Sequence, residues 1–438
     1  MQKDNFLKDD WSLSGTDLHR FSWELEKLAA ATTHRQVSPS DVAFVPIHRK
    51  EEGYFVCSVL KEVNVNTFYS KINDFVASDK STHTYPTIPT TTCPFESVDE
   101  ELATDSMNTN GMIMALFGKP IYISEAARGS LLARADLGGK RMNSHSLPVS
   151  LAIADGFYEK RGMVTLAIRK DSLGNNKIFS FLSDKYEPIP QSTILDVAKR
   201  IMSDAVMGET EVREWQMDHE FTRLYLEFPE KAEEFASMYG LTDVNIPGVV
   251  LMSSDTGASS FIVRGTYRSP KSPSYVMVDE VMRRHQGKTL DVNKLLEECD
   301  TTIFQNYRKL PEAMAEKIGK VVGAGDVSCS KSRTRNKEAV QSAIRGAMSE
   351  LGLMKELSEG RGKKLSDALC AEVNGGQVYT EYDLAQTFLG LPGRLDGLCR
   401  ANVERVSKLC GRAPFIDYQP RKHKTGDNEG IVLMPEGI

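Results

Sequence analysis

KIFSFLSDKYEPIP at Lys177–Pro190 and IPGVVLMSSDTGASSFIVRGTYR at Ile246–Arg268 decide the fold class. Both are runs of β-branched and aromatic residues closed by turn chemistry, the composition that fits a pleated, half-buried strand. In the first, Gly174-Asn175-Asn176 turns the chain back from Val164, Leu166 and Ile168 into Ile178–Leu182, an antiparallel hairpin. In the second, Gly248–Met252 pairs with Phe261–Tyr267 across Asp255-Thr256-Gly257. After Pro190, Ser192 or Thr193 caps a helix whose apolar residues Ile194, Val197, Ala198, Ile201 and Ala205 recur at helical spacing. Hairpins that lead into helices predict an α+β fold, an antiparallel sheet with hairpin–helix units.

Working outward, residues 1–40 place Leu18, Phe21, Trp23, Leu25 and Leu28 on a helical pattern before Ser38-Pro39-Ser40, an arm or capping helix. Val42–Val76 is strand-like, VAFVPI and YFVCSVL turning at Glu51–Gly53. Between Ala77 and Ser106 the Ser/Thr/Pro composition, with Pro86, Pro89 and Pro94, predicts a long extended loop. Gly111–Gly118 reads as a short buried segment and Phe221–Phe228 as a strand. From Val276 the periodicity predicts helices at Val278–Arg284, Val292–Cys299, Ile303–Val321 and Lys337–Leu351, punctuated later by Asn374-Gly375-Gly376 and Leu391-Pro392-Gly393. The organisation expected is an α+β core over 41–275, a mostly helical region over 276–420 and a charged, glycine-bearing tail over 421–438.

A chain of 438 residues is long enough for two or three lobes, each with its own core. The net charge of −6 lacks the positive excess of a generic polyanion binder, so any nucleic-acid surface has to be local. Seven cysteines, widely spread and never in a Cys-x-x-Cys pair, argue against a disulfide framework and a zinc ribbon. The N-terminus is charged where a signal peptide needs an apolar stretch, and no apolar run is long enough to cross a bilayer, so a cytoplasmic, membrane-free protein is expected.

Motifs for chemistry are weak. Gly287-Lys288-Thr289 ends like a phosphate loop, but Met282 stands where the first glycine belongs. Gly323-Ala324-Gly325 opens like a dinucleotide fingerprint, but Ser328 replaces the third glycine, and an inter-helix loop is the better reading. The eight histidines never occur two to five apart, and Asp218-His219-Glu220 reads as a strand-edge turn more readily than as an acid/base group. No catalytic residue, metal site or cofactor is predicted. Two basic clusters stand out. Arg264, Arg268, Lys271, Arg283, Arg284 and Lys288 accompany Tyr267 and Tyr275, combining charge for phosphates with rings for base stacking. Lys331, Arg333, Arg335 and Lys337 fall in a Ser-containing segment that reads as a flexible loop, with Arg345, Lys355, Arg361, Lys363 and Lys364 beyond.

Phe181–Pro190 (FLSDKYEPIP), Pro247–Phe261 (PGVVLMSSDTGASSF) and Asn374 with Thr380-Glu381-Tyr382 resemble a phage/plasmid-like protein family of unknown function. The hairpin-to-helix run over 163–207 resembles the β-hairpin–helix core of single-strand annealing recombination proteins. The resemblance implies a bacterial host cell and a mobile element. The function expected is nucleic-acid binding, with single-stranded DNA the expected substrate, in replication or recombination by a homo-oligomer, with Arg264, Tyr267, Arg268, Arg283, Arg284, Lys331, Arg333, Arg335 and Lys337 at the contact. A self-assembling phage structural protein is the alternative, its arm at 77–106 reaching neighbouring subunits. An enzyme using His219 and Asp218 is third.

Overall fold

A computed structural model describes residues 5–38, 42–49, 55–57, 99–109, 111–116, 119–134, 162–204, 208–241, 244–269, 275–285, 290–357, 359–395 and 400–419. In chain order the strands are β1 (Ser12–Gly15), β2 (Thr32–Val37), β3 (Val42–Arg49), β4 (Phe55–Cys57), β5 (Met112–Leu116), β6 (Lys119–Ile123), β7 (Val164–Lys170), β8 (Asn176–Ser183), β9 (Glu211–Asp218), β10 (Thr222–Glu227), β11 (Ile246–Ser253), β12 (Phe261–Arg268), β13 (Tyr275–Arg283), β14 (Val321–Val322) and β15 (Tyr379–Thr380). The helices are α1 (Leu18–Ala31), α2 (Glu100–Thr109), α3 (Glu125–Arg134), α4 (Thr193–Met202), α5 (Pro229–Tyr239), α6 (Val292–Cys299), α7 (Gln305–Ile318), α8 (Ser330–Glu350), α9 (Leu353–Glu356), α10 (Glu359–Ala371), α11 (Glu381–Leu389) and α12 (Arg400–Cys410). The fold is α+β, with hairpin–helix units and a helical C-terminal region.

Two large sheets carry the strands. The first has the order β1-β9-β10-β11-β12-β13, antiparallel throughout. The second has the order β2-β7-β8-β6-β5-β3-β4 and is mixed, because β6 runs parallel to β8. The hairpins expected at β3/β4, β7/β8 and β11/β12 are present. The turn at 51–53, the phosphate-loop-like residues 287–289, the tail 421–438 and most of the Thr/Pro-rich segment lie outside the described residues.

Three expectations are corrected. Residues 278–283 belong to strand β13 and not to a helix, because β12 offers a free ladder edge and seats Arg264 opposite Glu280. A short apolar run satisfies both the strand and the helix period, and the neighbouring edge settles it. The segment 100–106 is helical: Asp99 Oδ1 accepts from the Leu102 N–H at 3.1 Å, and Leu102, Ala103 and Ser106 are buried on one face of α2. The first forty residues are not a separate arm. They give β1 to one sheet edge and β2 to the other, with α1 between. Phe21, Leu25 and Leu28 of α1 are buried while Trp23 is exposed. Trp215 of β9 packs on Phe21 and donates its indole N–H to the Asp17 carbonyl at 2.9 Å. Gly15 makes room for it, since a Cβ there would lie 2.7 Å from the indole ring.

One hydrophobic core runs from the first sheet (Trp215, Phe228, Phe261) through α7 (Tyr307, Met314) into the helical region (Met348, Leu384, Phe388). A second core, with Val37, Leu166 and Phe181 packed on Leu131 of α3, belongs to the second sheet. Tyr307 is the rivet of the larger core. Its hydroxyl accepts from the Thr266 N–H at 2.7 Å and donates to the Gly248 carbonyl, so one phenol ties β11 to β12 at the β12/β13 irregularity.

The two sheets meet at Arg169 of β7, which is fully buried. Its Nη2 reaches Asp255 Oδ1 at 2.8 Å and the His219 carbonyl at 3.0 Å, and Phe179 lies 4.3 Å beneath its guanidinium. Asp255, in the β11–β12 turn, also accepts from the Thr32 hydroxyl at 2.7 Å, and its carbonyl meets His34 Nε2 at 2.5 Å. Tyr186 sits between the rings of His34 and His285, with centroids 5.4 and 5.2 Å away. His285 Nδ1 accepts from the Ile189 N–H at 3.1 Å, which requires the neutral ring. Burial, then the nearby His34, pushes the His285 imidazole down to about 4, and burial also lowers His34.

Removing one partner of a buried pair leaves the other charge uncompensated, so Asp255→Ala should cost about 3–5 kcal/mol in urea unfolding. A loss below about 1 kcal/mol would remove the junction from its structural role. For His285 the folded pKa lies below the unfolded 6.5, so the unfolded chain binds the extra proton between these values. The stability is complete above pH ~6.5 and is lost as pH falls toward about 4, about 3 kcal/mol in all from the shift. Unfolding midpoints at pH 7.5 and 5 should differ by more in the native chain than in His285→Gln; equal differences would refute the assignment.

Candidate nucleic-acid interface

The residues of the first basic cluster lie along β12 and β13, and their charges are mostly compensated. Arg264 Nη2 lies 2.7 Å from Glu280 Oε2, with Glu404 3.9 Å from its Nη1. Burial alone would raise the Glu280 carboxyl, but Lys408 and Arg264 hold it below the usual carboxylate range. Arg268 binds Glu227 through two hydrogen bonds, Nε to Oε1 at 2.5 Å and Nη2 to Oε2 at 2.9 Å. Arg283 Nη2 lies 2.6 Å from Glu298 Oε1. Tyr267 is 1% exposed and offers no ring face to solvent. Tyr275 stacks on Tyr225 at 4.9 Å. Arg284 alone of this group is both exposed and without an ion pair among the described residues. Lys271 and Lys288 lie outside those residues.

The second cluster is placed differently. Lys331, Arg333, Arg335 and Lys337 are not in a loop: they occupy the first two turns of α8, and all four are exposed. The helix starts early because Cys329, extended at φ −107°, caps it with its sulfur accepting from the Ser332 N–H at 3.4 Å. No proline interrupts the segment, and the stripe from Val340 to Met348 fixes the buried face. None of the four forms an ion pair with a carboxylate among the described residues; Arg333 Nε donates to the Val327 carbonyl at 2.9 Å.

A buried asparagine seats this end of the helix. Asn336 is fully buried; its Nδ2 donates to the Gly375 and Gln377 carbonyls at 3.1 and 2.6 Å, and its Oδ1 accepts from the Ala324 N–H at 3.2 Å. Both glycine turns noted in the sequence thus close on α8. Gly375 has to be glycine, because a Cβ would sit 2.4 Å from the Arg333 carbonyl, and Gly323 holds φ at +91°. Farther along, Gln341 Nε2 donates to the Cys370 carbonyl at 2.8 Å, pairing α8 with α10 in antiparallel sense. Arg345, Arg361, Lys363 and Lys364, toward the far end of that hairpin, are exposed as well.

Residues i and i+4 share a helix face. Lys331 with Arg335 therefore forms one row and Arg333 with Lys337 another, so the cations fan around the helix. From Lys331 to Arg345 the track is about 21 Å long at 1.5 Å per residue. The macrodipole adds partial positive charge at the same end.

Asp218-His219-Glu220 is a turn device. Asp218 Oδ1 accepts from the Glu220 and Phe221 N–H groups at 2.9 and 2.7 Å, and Oδ2 meets Arg223 at 3.0 Å. Burial would raise that carboxyl, but these donors hold it below its ordinary value. His219 contributes its carbonyl to Arg169. Sequence reasoning missed Arg169, Asp255 and Asn336. Asp255 was legible only as a turn former, and Asn336 only as one polar residue in a polar run. Among the described residues, no helix is long and apolar enough to cross a membrane. No family model, curated protein or solved structure matches the chain.

Because Glu227 is buried, Arg268→Ala should cost about 3 kcal/mol in chemical denaturation, whereas Arg284→Ala should stay within about 0.5 kcal/mol. Equal effects would show that the Arg268 pair does no more for stability than a surface charge.

Proposed function

We propose that this protein binds nucleic acid through the phosphate backbone, that single-stranded DNA is its substrate, and that α8 is the contact helix, in a replication or recombination step of a mobile element. The observation that carries this reading is the set Lys331, Arg333, Arg335 and Lys337, exposed and without carboxylate partners among the described residues, in a chain of net charge −6. Charges already neutralised within the protein release no counterions when a phosphate approaches; uncompensated ones do. The reading therefore moves from the β12/β13 cluster, whose arginines face Glu280, Glu227 and Glu298, to α8. A single strand is favoured over a duplex because the four cations lie on two sides of one helix. A flexible strand can wrap both rows, while a duplex, stiff over about 50 nm, meets one. With no aromatic platform exposed beside the helix among the described residues, binding is expected to be tolerant of sequence. The mobile-element setting is supported by the resemblance of Phe181–Pro190 and Pro247–Phe261.

Fluorescence anisotropy with a labelled single strand of about 20 nucleotides, titrated across salt, tests the assignment. The native chain should show a steep negative slope of log K against log salt. K331A/R333A/R335A/K337A should lower that slope by about 3, at roughly 0.7 per phosphate contact, and weaken binding uniformly across sequences. The same slope in both proteins, or no binding by the native chain at about 50 mM salt, would overturn the proposal.

A further inference from the structure

Leu224 and Leu226 of β10 belong to the large core, so Arg223 and Tyr225, which alternate with them, stand on the opposite face of the first sheet. A cleft of about 190 Å³ lies on that face, floored by Val250, Met252 and Ile262 of β11 and β12 and bordered by Ser407 of α12. Tyr225 and Tyr275 line it too, and their rings meet across β11 and β12 with centroids 4.9 Å apart. Two arginines share the cleft. Arg264 is fully engaged: Nε and Nη2 both reach Glu280 Oε2, at 2.8 and 2.7 Å, and Nη1 lies 3.1 Å from Met277 Sδ. Arg223 uses only Nη1, which meets Asp218 Oδ2 at 3.0 Å, while the Phe221 ring lies 4.6 Å from its guanidinium carbon. Its Nε and Nη2 have no partner among the described residues, and neither is sealed from water as Arg169 Nη1 is. Arg223 is 4% exposed, so the little surface it keeps opens on the cleft it lines.

Nε and Nη2 form the side-on edge of a guanidinium, the fork with which Arg268 holds both oxygens of Glu227 in this same sheet. On Arg223 that edge offers two parallel N–H donors to a carboxylate from outside. Asp218 leaves charge to be met, because it also accepts from the Glu220 and Phe221 N–H groups and its side chain is 24% exposed, sharing its charge with the turn and with water. The other carboxylates near the cleft, Glu280 and Glu404, are answered by Arg264 and Lys408. The floor is aliphatic, so a bare inorganic ion would lose its water there and regain one fork, whereas a ring attached to the anion gains from burial. A cavity of about 150 Å³ holds one benzene ring, so this one has room for a single ring and its carboxylate. We propose that the cleft binds a single-ring aromatic carboxylate, its two oxygens on Nε and Nη2 of Arg223 and its ring over Val250, Met252 and Ile262.

Fluorine NMR titration of the full chain with 4-fluorobenzoate, and with 4-fluorobenzamide as the uncharged comparator of the same shape, tests this. One saturable site is expected, with the benzoate bound about 10-fold more tightly than the benzamide. Arg223→Gln should bring the benzoate down to the benzamide's affinity. Arg223→Lys keeps the charge beside Asp218 but lacks the fork, so it should fold as the native chain does and still lose most of the preference. Val250→Phe, which builds a ring into the floor, should abolish binding of both. The substitutions on α8 should leave both affinities unchanged, which separates this site from the nucleic-acid reading. Absence of saturable benzoate binding by the native chain, an undiminished preference in Arg223→Lys, or loss of benzoate binding on substituting α8 would overturn the proposal.

Discussion

The guanidinium of Arg169 is where the two sheets are joined, and the rest of the architecture is arranged to keep it dry and paired. A buried arginine is tolerable only when its charge is compensated. Asp255 supplies the charge from the β11–β12 turn, His219 a carbonyl from the β9–β10 turn, and Phe179 a ring beneath. Thr32 and His34 of β2 then fasten to the same aspartate. The turn itself is pressed against the second sheet, since a Cβ on Gly257 would come within 2.5 Å of Leu182. The first sheet thus reaches the second through its loops, and a turn that looks like a simple connector is the joint.

The same rule sorts the basic residues. Along β12 and β13 each arginine that approaches the core has met a glutamate, because a half-buried cation without one is expensive. Arg264 and Arg268 are therefore part of the sheet's cross-strand bonding as much as Tyr307 is. The first two turns of α8 are seated by Asn336, but their four cations are exposed, so solvation meets the cost of charge and no partner is required. A surface that keeps four cations without an ion pair among the described residues, while the chain as a whole is acidic, concentrates its positive potential in one place, which is the arrangement a local phosphate-binding element needs.

Much of the fold was legible because period and turn chemistry are local. The β7/β8 and β11/β12 hairpins, α4 and the apolar stripe of α8 follow from alternation, helical spacing and the turns that close them. What escaped depended on partners distant in sequence. Val278–Arg283 becomes a strand only because β12 lies beside it, and Ser12–Gly15 and Thr32–Val37 are strands only because β9 and β7 present edges to them. The candidate site was legible as composition and not as geometry. Charge clusters were visible, but whether each cation had a partner depended on Glu227, Glu280 and Glu298, each brought in by the fold. Helix α8 starts at Ser330 because a cap and Asn336 hold its first turns in place, and neither carries a sequence signature.

Tyr267 and Tyr307 show how finely that dependence is drawn. Both are buried phenols of one core, in edge contact with each other, and nothing in the residues around them distinguishes their roles. Tyr307 comes from a helix and inserts its hydroxyl between two strands, where the irregularity at Gly265 leaves an N–H and a nearby carbonyl to be satisfied. A Cβ at Gly265 would lie 2.8 Å from that hydroxyl, so the glycine and the phenol are a matched pair. Tyr267 comes from the strand itself, and its oxygen is buried with no hydrogen-bond partner among the described residues. One core thus holds two phenols of unlike standing, one that stitches two strands together and one whose replacement by phenylalanine would fill the same volume without the desolvation cost.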